Sequence, residues 1–289
     1  MTNNFAIFIL THGRANKVFT YDQLIKAGYT GKVYIIIDNE DDQAPIYRER
    51  FGDKVIQFDK AEIAKTFDEG DNTGDRRAIV YARNACFDIA RELNITYFMQ
   101  LDDDYVDFRF KMDDKFQSIH RADITDLDTI LELLLDYYKS IPAKSLAIAQ
   151  GGDFIGGLGN KNDKSLNARR KCMNTFICST ERPFQFVGRI NEDVNTYTSL
   201  QARGNLFLTF PLLAIQQKQS QLSKGGMTEL YLDSGTYIKS FFSVMYHPSG
   251  VTVSLIGKHS RLHHRINWDR TAPAIIREEY KKTLDTLDA

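Results

Sequence analysis

The residues with the plainest capacity for chemistry are three consecutive carboxylates, Asp102, Asp103 and Asp104, directly after the apolar run Ile95 to Leu101. A buried strand that ends this way delivers acid to one edge of a sheet. In open α/β sheets ligands bind at that edge, outside the carboxyl ends of the strands. Adjacent carboxylates repel one another unless a cation or water lies among them. The stretch therefore fits a divalent-metal site holding a phosphorylated ligand, or equally a solvated acidic turn.

Other candidates lie on either side. Asp38 closes a second apolar run, where it could accept hydrogen bonds from a ribose or base, or serve as a turn acid. Asn191-Glu192-Asp193 precedes a helical stretch. There Asn191 or Asp193 could cap the helix, or a carboxylate could take a proton from an acceptor hydroxyl. His259, His263 and His264 stand among Lys258, Arg261 and Arg265. Such a cluster suits a borderline metal or a departing diphosphate, or simply a basic surface. Arg83 and Asn84 read as a surface pair or as groups reaching a nucleotide from below.

The elements that must position these groups follow from apolar spacing. Phe5 to Leu10, Val33 to Ile37 and Val55 to Phe58 are continuous apolar runs of the kind that form buried parallel strands, and they alternate with helical patterns over Val18 to Ala27 and Ala44 to Phe51. This alternation predicts a parallel sheet with right-handed crossovers. A polar, Gly-containing loop is expected over Phe67 to Arg77, then a helix over Ala78 to Leu93 with Ile79, Ala82, Cys86, Ile89, Ala90 and Leu93 inward. Beyond the acids, Asp107 to Arg121 reads as two short strands or a loop. A helix capped by Asp126 runs to Tyr138, and strands are expected at Leu146 to Gln150, Thr175 to Ser179, Phe207 to Pro211 and Val251 to Ile256. Helices are expected over Asp193 to Arg203, Gly235 to His247 and Ile275 to Leu287, and loops at Gly151 to Gly157 and Ala214 to Tyr231.

The 289 residues fit one large domain or two small ones, with enough length for a substantial core. A net charge of −1 exerts no global pull toward nucleic acid or membrane, although Asn160 to Lys171 is locally basic. No stretch reaches the roughly 18 apolar residues of a membrane span, and the start lacks the basic and apolar regions of a signal peptide. Cys86, Cys172 and Cys178 have no C-x-x-C spacing and read as reduced thiols. A cytoplasmic location is the expectation.

The order of these motifs resembles that of GT-A fold glycosyltransferases: Thr11-His12-Gly13-Arg14 after strand one, Asp38 after strand two, and Ala82-Arg83-Asn84 before the acidic strand. Asp102-Asp103-Asp104, Asn191-Glu192-Asp193 and a late histidine follow. The Thr-His-Gly-Arg start and the compact size are similar to the TET-associated glycosyltransferases, phage and related enzymes proposed to glycosylate hydroxymethylated pyrimidines in DNA. The resemblance implies an α/β, Rossmann-like GT-A domain, with a nucleotide-sugar half at 1–106 and an acceptor and catalytic half at 107–289. It implies that Asp102 and Asp104 hold Mn²⁺ or Mg²⁺ and the diphosphate of a UDP-sugar, with His259 completing the metal shell and His263 as the other candidate. Asp103 would face the donor sugar or ribose and Asp38 the nucleoside, with Thr11, Gly13, Arg14 and Arg83 also on the donor. Asp193 would be the base of an inverting transfer, with Glu192 beside it.

For a DNA acceptor carrying 5-hydroxymethylcytosine-type bases, phosphate contacts are expected from Arg169, Arg170 and Lys171, with Lys161 and Lys164. Phe154, Phe184 or Phe186 would stack on a flipped base, and His263 would lie nearby. The competing readings are a polysaccharide, lipid or protein acceptor, a nucleotidyltransferase using the same acids, and a binding module with a decayed site.

Overall fold

The structure is a computed structural model that describes residues 4–112, 118–150, 169–217, 235, 237–256 and 261–273. Four parallel strands build its first half: β1 (Phe5–Leu10), β2 (Lys32–Asp38), β3 (Val55–Phe58) and β4 (Tyr97–Asp102). Between them run α1 (Phe19–Lys26), α2 (Ala44–Phe51), α3 (Lys60–Ala64) and α4 (Val80–Glu92). The second half adds β5 (Tyr105–Met112), β6 (Ser118–Asp123), α5 (Leu127–Ser140), β7 (Ala143–Gln150), β8 (Phe176–Ser179), α6 (Glu192–Gln201) and β9 (Leu206–Gln217). A last group comprises α7 (Ile238–Tyr246), the antiparallel hairpin β10 (Val251–Ile256) and β11 (Arg261–Ile266), and α8 (Trp268–Thr271).

The first nine strands share one sheet, in the order β3-β2-β1-β4-β8-β7-β9-β5-β6. Pairing is parallel from β3 to β4 and mixed beyond it. β1 is buried along its whole length, which explains its unbroken apolar run. Phe5, Ile7 and Ile9 face one core with Ile35, Leu127 and Leu131. Ala6, Phe8 and Leu10 face a second core with Cys86, Phe98 and Tyr197. Phe8 stacks on Phe98 with ring centroids 5.2 Å apart, and removing either ring from such a core costs about 3–5 kcal/mol.

The same topology locates the site. β2 and β4 flank β1 on opposite sides, which opens a crevice at their carboxyl ends. Leu10 lies opposite Ile36 on β2 and Asp102 on β4, so Thr11, Asp38 and Asp102 reach one edge. After Asp102 the chain reverses through Asp103 and Asp104 into β5. Thr20 pins this reversal: its hydroxyl donates to the Asp102 carbonyl at 2.6 Å, accepts from the Tyr105 amide at 3.0 Å, and its own amide reaches the Asp103 carbonyl.

Three expectations change and one helix is new. Ala214 to Gln217, expected to open a loop, instead continue β9, because Ala214 and Ile215 are buried between β5 and β7; 218–231 lie outside the described residues. The basic stretch ending at Arg265 contains strand β11. α4 buries Arg83 and Asn84 as well as its apolar stripe, whereas Ala82 is only partly covered. Helix α3 had no apolar pattern to announce it; Asp59 caps it by accepting the Glu62 amide at 3.0 Å. Asp126 caps α5 as expected, accepting from the Thr129 amide. The three cysteines are buried and free, and no helix among the described residues is long and apolar enough to cross a membrane. Of the remaining expected elements, 151–157, most of 160–171 and 275–287 lie outside the described residues.

Candidate active site

At one end of the crevice, Asp38 is buried at the tip of β2. His12 Nδ1 meets its Oδ2 at 2.8 Å, Lys60 Nζ lies 3.3 Å from the same oxygen, and the Glu40 amide donates to Oδ1. Burial pushes the Asp38 carboxyl up, but His12 and Lys60 together hold it below its ordinary value. His12 is raised, chiefly by its bond to Asp38. The first loop folds back beside them. Gly13 adopts φ +66°, a conformation that favours glycine, and its amide donates to Asp41 Oδ2 at 2.7 Å. Tyr47 Oη bonds the Thr11 hydroxyl and accepts from the Arg14 amide.

The three acids after β4 have separate environments. Asp103 is buried with both oxygens engaged: the Thr11 hydroxyl donates to Oδ2 at 2.6 Å and Arg14 Nη1 to Oδ1 at 3.1 Å. It therefore ties the first loop to the turn. Thr11 spends its hydroxyl on the same tie. Asp102 accepts from Arg83 Nη2 at 3.0 Å and from Gln217 Nε2 at 3.3 Å, and Asp104 accepts from the same amide at 3.4 Å. Burial, against the pull of Arg83 and with Asp104 alongside, pushes Asp102 up to about 7. Burial and the Asp103 charge push Asp104 up to about 6.

Arg83 joins these acids to the second carboxylate pair. Its guanidinium is 2% exposed, lies over the Phe176 ring at 4.9 Å, and donates through Nε to Glu192 Oε1 at 2.9 Å. Nη1 is buried without a hydrogen-bond partner among the described residues. Asp193, the next residue on α6, is also buried; its Oδ1 accepts the Val194 amide at 2.7 Å. Burial beside Glu192 raises its carboxyl, against the weaker pull of Arg83 and Lys171. Asn191 leads into the helix with φ +59° and makes no side-chain cap, so neither Asn191 nor Asp193 is there simply as a conventional helix cap.

Other expected residues fall elsewhere. Phe186 is fully buried among Phe176 and Phe184, so a base cannot stack on it without opening the core. Asn84 pairs with the Phe186 backbone through both amide atoms and supports the fold rather than a nucleotide. Arg169 is exposed and pairs with Asp269 at 2.8 Å; Arg170 is half-buried. His263 is half-buried and stacks on His264 at 4.2 Å. His259, Phe154, Lys161 and Lys164 lie outside the described residues. The residues that sequence reasoning gave no role are His12, Asp41, Tyr47 and Lys60 at the Asp38 end and Gln217 between Asp102 and Asp104, while His264 was named only within the histidine cluster. His264 is the buried member of the late histidines, and only the alternation of a strand through Leu262, His264 and Ile266 would have singled it out.

The donor set suits a hard divalent cation. Asp102 and Asp104 offer carboxylate oxygen, and burial holds both above their ordinary range because local positive charge is short. Among the described residues no three His, Cys, Asp or Glu side chains converge as a complete cage.

The largely parallel α/β sheet with flanking helices is the fold expected of GT-A glycosyltransferases. The chain belongs to the TET-associated glycosyltransferase family, which it matches over residues 5–226. The protein is thus a glycosyltransferase, and the nucleotidyltransferase and decayed-module readings are set aside. No curated protein matches it in sequence. In fold it is similar to the crystal structure of a mycobacterial protein, at 9% identity over 91% of this chain and 84% of that one, with a TM-score of 0.50. It is also similar to glucosyl-3-phosphoglycerate synthase from Mycobacterium tuberculosis in complex with Mg²⁺ and UDP (10% identity, 92% and 91% of the chains, TM-score 0.47). A complex of that enzyme with Mn²⁺, UDP and phosphoglyceric acid gives 11% identity, 91% and 86% coverage and a TM-score of 0.47. At these identities the likeness concerns the fold.

Proposed function

We propose that the protein transfers a sugar, with inversion, from a UDP-sugar to the hydroxyl of a 5-hydroxymethylcytosine-type base in DNA. The observation that carries the catalytic part is Arg83, which ties Asp102 at the end of β4 to Glu192 at the start of α6. Acids suited to a diphosphate and acids suited to a proton thus share one buried cation. The acceptor rests on the TET-associated family, with Arg169, Arg170 and Lys171 as phosphate contacts.

In this reading residues 1–106 hold the nucleotide-sugar. Asp38 and the Thr11–Arg14 loop meet the nucleoside, and Arg83 Nη1 offers a donor to a phosphate or sugar oxygen. Asp102 and Asp104 would hold Mn²⁺ or Mg²⁺, with a late histidine, His259 or His263, as a further ligand. When bound, the ion neutralises charge on the departing diphosphate. Residues 107–289 present the acceptor. Its hydroxyl oxygen attacks the anomeric carbon from the face opposite UDP. The bond from that carbon to the diphosphate oxygen breaks, and its electron pair leaves with UDP. The hydroxyl proton passes to Asp193, whose burial beside Glu192 makes it a stronger base than an exposed carboxylate.

Asp193→Asn should lower kcat by roughly 10²–10⁴-fold, the usual contribution of a general base, while calorimetry with UDP finds unchanged affinity. Full turnover in that variant would remove Asp193 as the base. UDP-sugars should be screened against DNA with and without 5-hydroxymethylcytosine. Transfer should occur only to the modified DNA; transfer to neither would discard the DNA acceptor.

A further inference from the structure

The segment that delivers Glu192 and Asp193 is held from two sides. On one side, the Gly188 amide donates to the Asp68 carbonyl and the Arg189 amide to the Glu69 carbonyl, each at 2.8 Å. Arg189 is itself buried, with Nε 2.7 Å from Asp71 Oδ2. This side lies within the residues that match the family. The other side does not: it is supplied by α7 and β11, beyond residue 226.

There a chain of polar side chains runs through otherwise packed interior. Asn191 Nδ2 donates to Ser243 Oγ at 2.5 Å, and the Ser243 hydroxyl donates to Asn195 Oδ1 at 2.9 Å. Asn195 Nδ2 then donates to the Val187 and Ile190 carbonyls at 3.1 and 2.9 Å. His264 Nδ1 lies 3.5 Å from Asn191 Nδ2 and faces the same amide. Ser243 and Asn195 are fully enclosed, and His264 nearly so. The ends of this chain are Asn191, directly before the acid pair, and Asn195, two residues after it. Asn191 holds φ +59° and ψ +38°, a left-handed geometry that asparagine tolerates better than most side chains. That single residue sets the direction in which α6 starts. The approach is close: a Cβ on Gly188 would lie 2.4 Å from Asn195 Nδ2 and 2.6 Å from the Tyr246 ring. Further along α6, Tyr197 stacks on Trp268 of α8, with centroids 6.1 Å apart and planes at 10°.

We infer that Asn191, Ser243 and His264 are positioning residues: they form a latch by which the chain beyond the family match fixes the entry of α6 and so aims Asp193 at the acceptor hydroxyl. The inference rests on the reading of Asp193 as the base. Each of the three residues acts through the backbone of 191–195 and none needs to touch substrate. The physical reason is that a buried amide–hydroxyl–amide chain has one satisfied arrangement, and a break leaves donors or acceptors unpaired in the interior.

The test compares Ser243→Ala and Asn191→Gly with Asp193→Asn. Asn191→Gly keeps the left-handed backbone accessible while deleting the latch amide, so it remains informative if Ser243→Ala folds poorly. Fluorescence of Trp268, the sole tryptophan, reports whether α8 remains seated on α6. Both latch variants should lose about 10- to 100-fold in kcat, as a displacement of about 1 Å in a reacting group does, with donor KM within about twofold of the parent. Asn191→Ala should fall below Asn191→Gly, because it adds backbone strain to the lost amide. Hydrogen exchange at the Asn195 amide, which donates to the Asn191 carbonyl at 3.0 Å, should quicken in both variants. Parental kcat and parental exchange in Ser243→Ala and Asn191→Gly would overturn the latch. If Asp193→Asn proves active while the latch variants still exchange faster and turn over more slowly, the base assignment fails and the latch stands.

Discussion

Asp38 is met by His12 at 2.8 Å and by Lys60 at 3.3 Å. Asp104, at the other end of the same sheet edge, has the neutral amide of Gln217 at 3.4 Å as its hydrogen-bond donor among the described residues. The two ends differ in charge balance more than in composition. Around Asp38 each acid has a cation or several amide donors, and that carboxyl sits below its ordinary value. Around Asp102, Asp104, Glu192 and Asp193 the charge is negative beyond what Arg83 can answer, and burial pushes Asp102 and Asp104 up to about 7 and about 6. A balanced pocket suits a neutral base and ribose. The unbalanced end is the one the proposed function assigns to a cation.

The largest test of this contrast removes the buried cation that bonds Asp102 and Glu192 together. Arg83→Met keeps the volume between Phe176 and Phe186 but leaves the half-buried Asp102 and Glu192 without their partner. Breaking a buried ionic network in this way costs about 3–5 kcal/mol, measurable by urea denaturation. Arg83→Lys should recover little, since one ammonium cannot reproduce a fork that reaches two carboxylates at once. A loss below about 1 kcal/mol would mean that the acids are relieved by proton uptake or solvent and that Arg83 is not the joint of the site.

Next comes the missing charge itself. Mn²⁺ at about 100 times its dissociation constant should stabilise the protein by about 2.7 kcal/mol, by mass action on the folded state. Asp102→Asn or Asp104→Asn should erase that shift in a thermal melt. Asp103→Asn should keep it while lowering the basal melting temperature, because Asp103 is engaged with Thr11 and Arg14 rather than open to a ligand. Equal loss of the Mn²⁺ shift in all three variants would merge the acids into one cluster and undo the separate role of Asp103.

The same contrast explains what could be read from the chain alone. Strands β1 to β4 and the acids at their ends were legible, because burial on both sheet faces writes continuous apolar runs and each run stops where the backbone meets the crevice. Asp102, Asp38 and the Glu192–Asp193 pair were therefore visible as candidates. Partners drawn from distant parts of the sequence were not. Lys60 reaches Asp38 from α3, Gln217 reaches Asp102 and Asp104 from the end of β9, and Ser243 and His264 reach Asn191 from beyond the family match. Each is an ordinary polar residue whose role depends on which strand lies beside which, and apolar periodicity carries no such information. Arg83 and Asn84 misled for a related reason: a polar pair on an amphipathic helix reads as solvent-facing until Asp102, Glu192 and the Phe186 backbone supply the partners that allow burial.

The smallest expected effect lies at the balanced end and shows as a pH dependence. His12 in the folded protein binds its proton more tightly than at the ordinary value of 6.5, because Asp38 accepts its bond. The charged pair therefore stabilises the fold fully below about pH 6.5, and that stability fades as pH rises through the higher folded value. Asp38 works in the opposite direction: its depressed pKa gives stability that is present above 3.8 and is lost as pH falls through the folded value. Nearly half of the His12 side chain is exposed, so solvent screening limits the histidine's share to about 1 kcal/mol or less. His12→Gln should flatten the decline in stability above pH 6.5 without altering the Mn²⁺ shift, because the glutamine side chain retains a hydrogen-bond donor but does not titrate. If that substitution left the slope of stability against pH unchanged, Lys60 alone would balance Asp38, and the pocket would owe its neutrality to a buried ammonium rather than to a titrating pair.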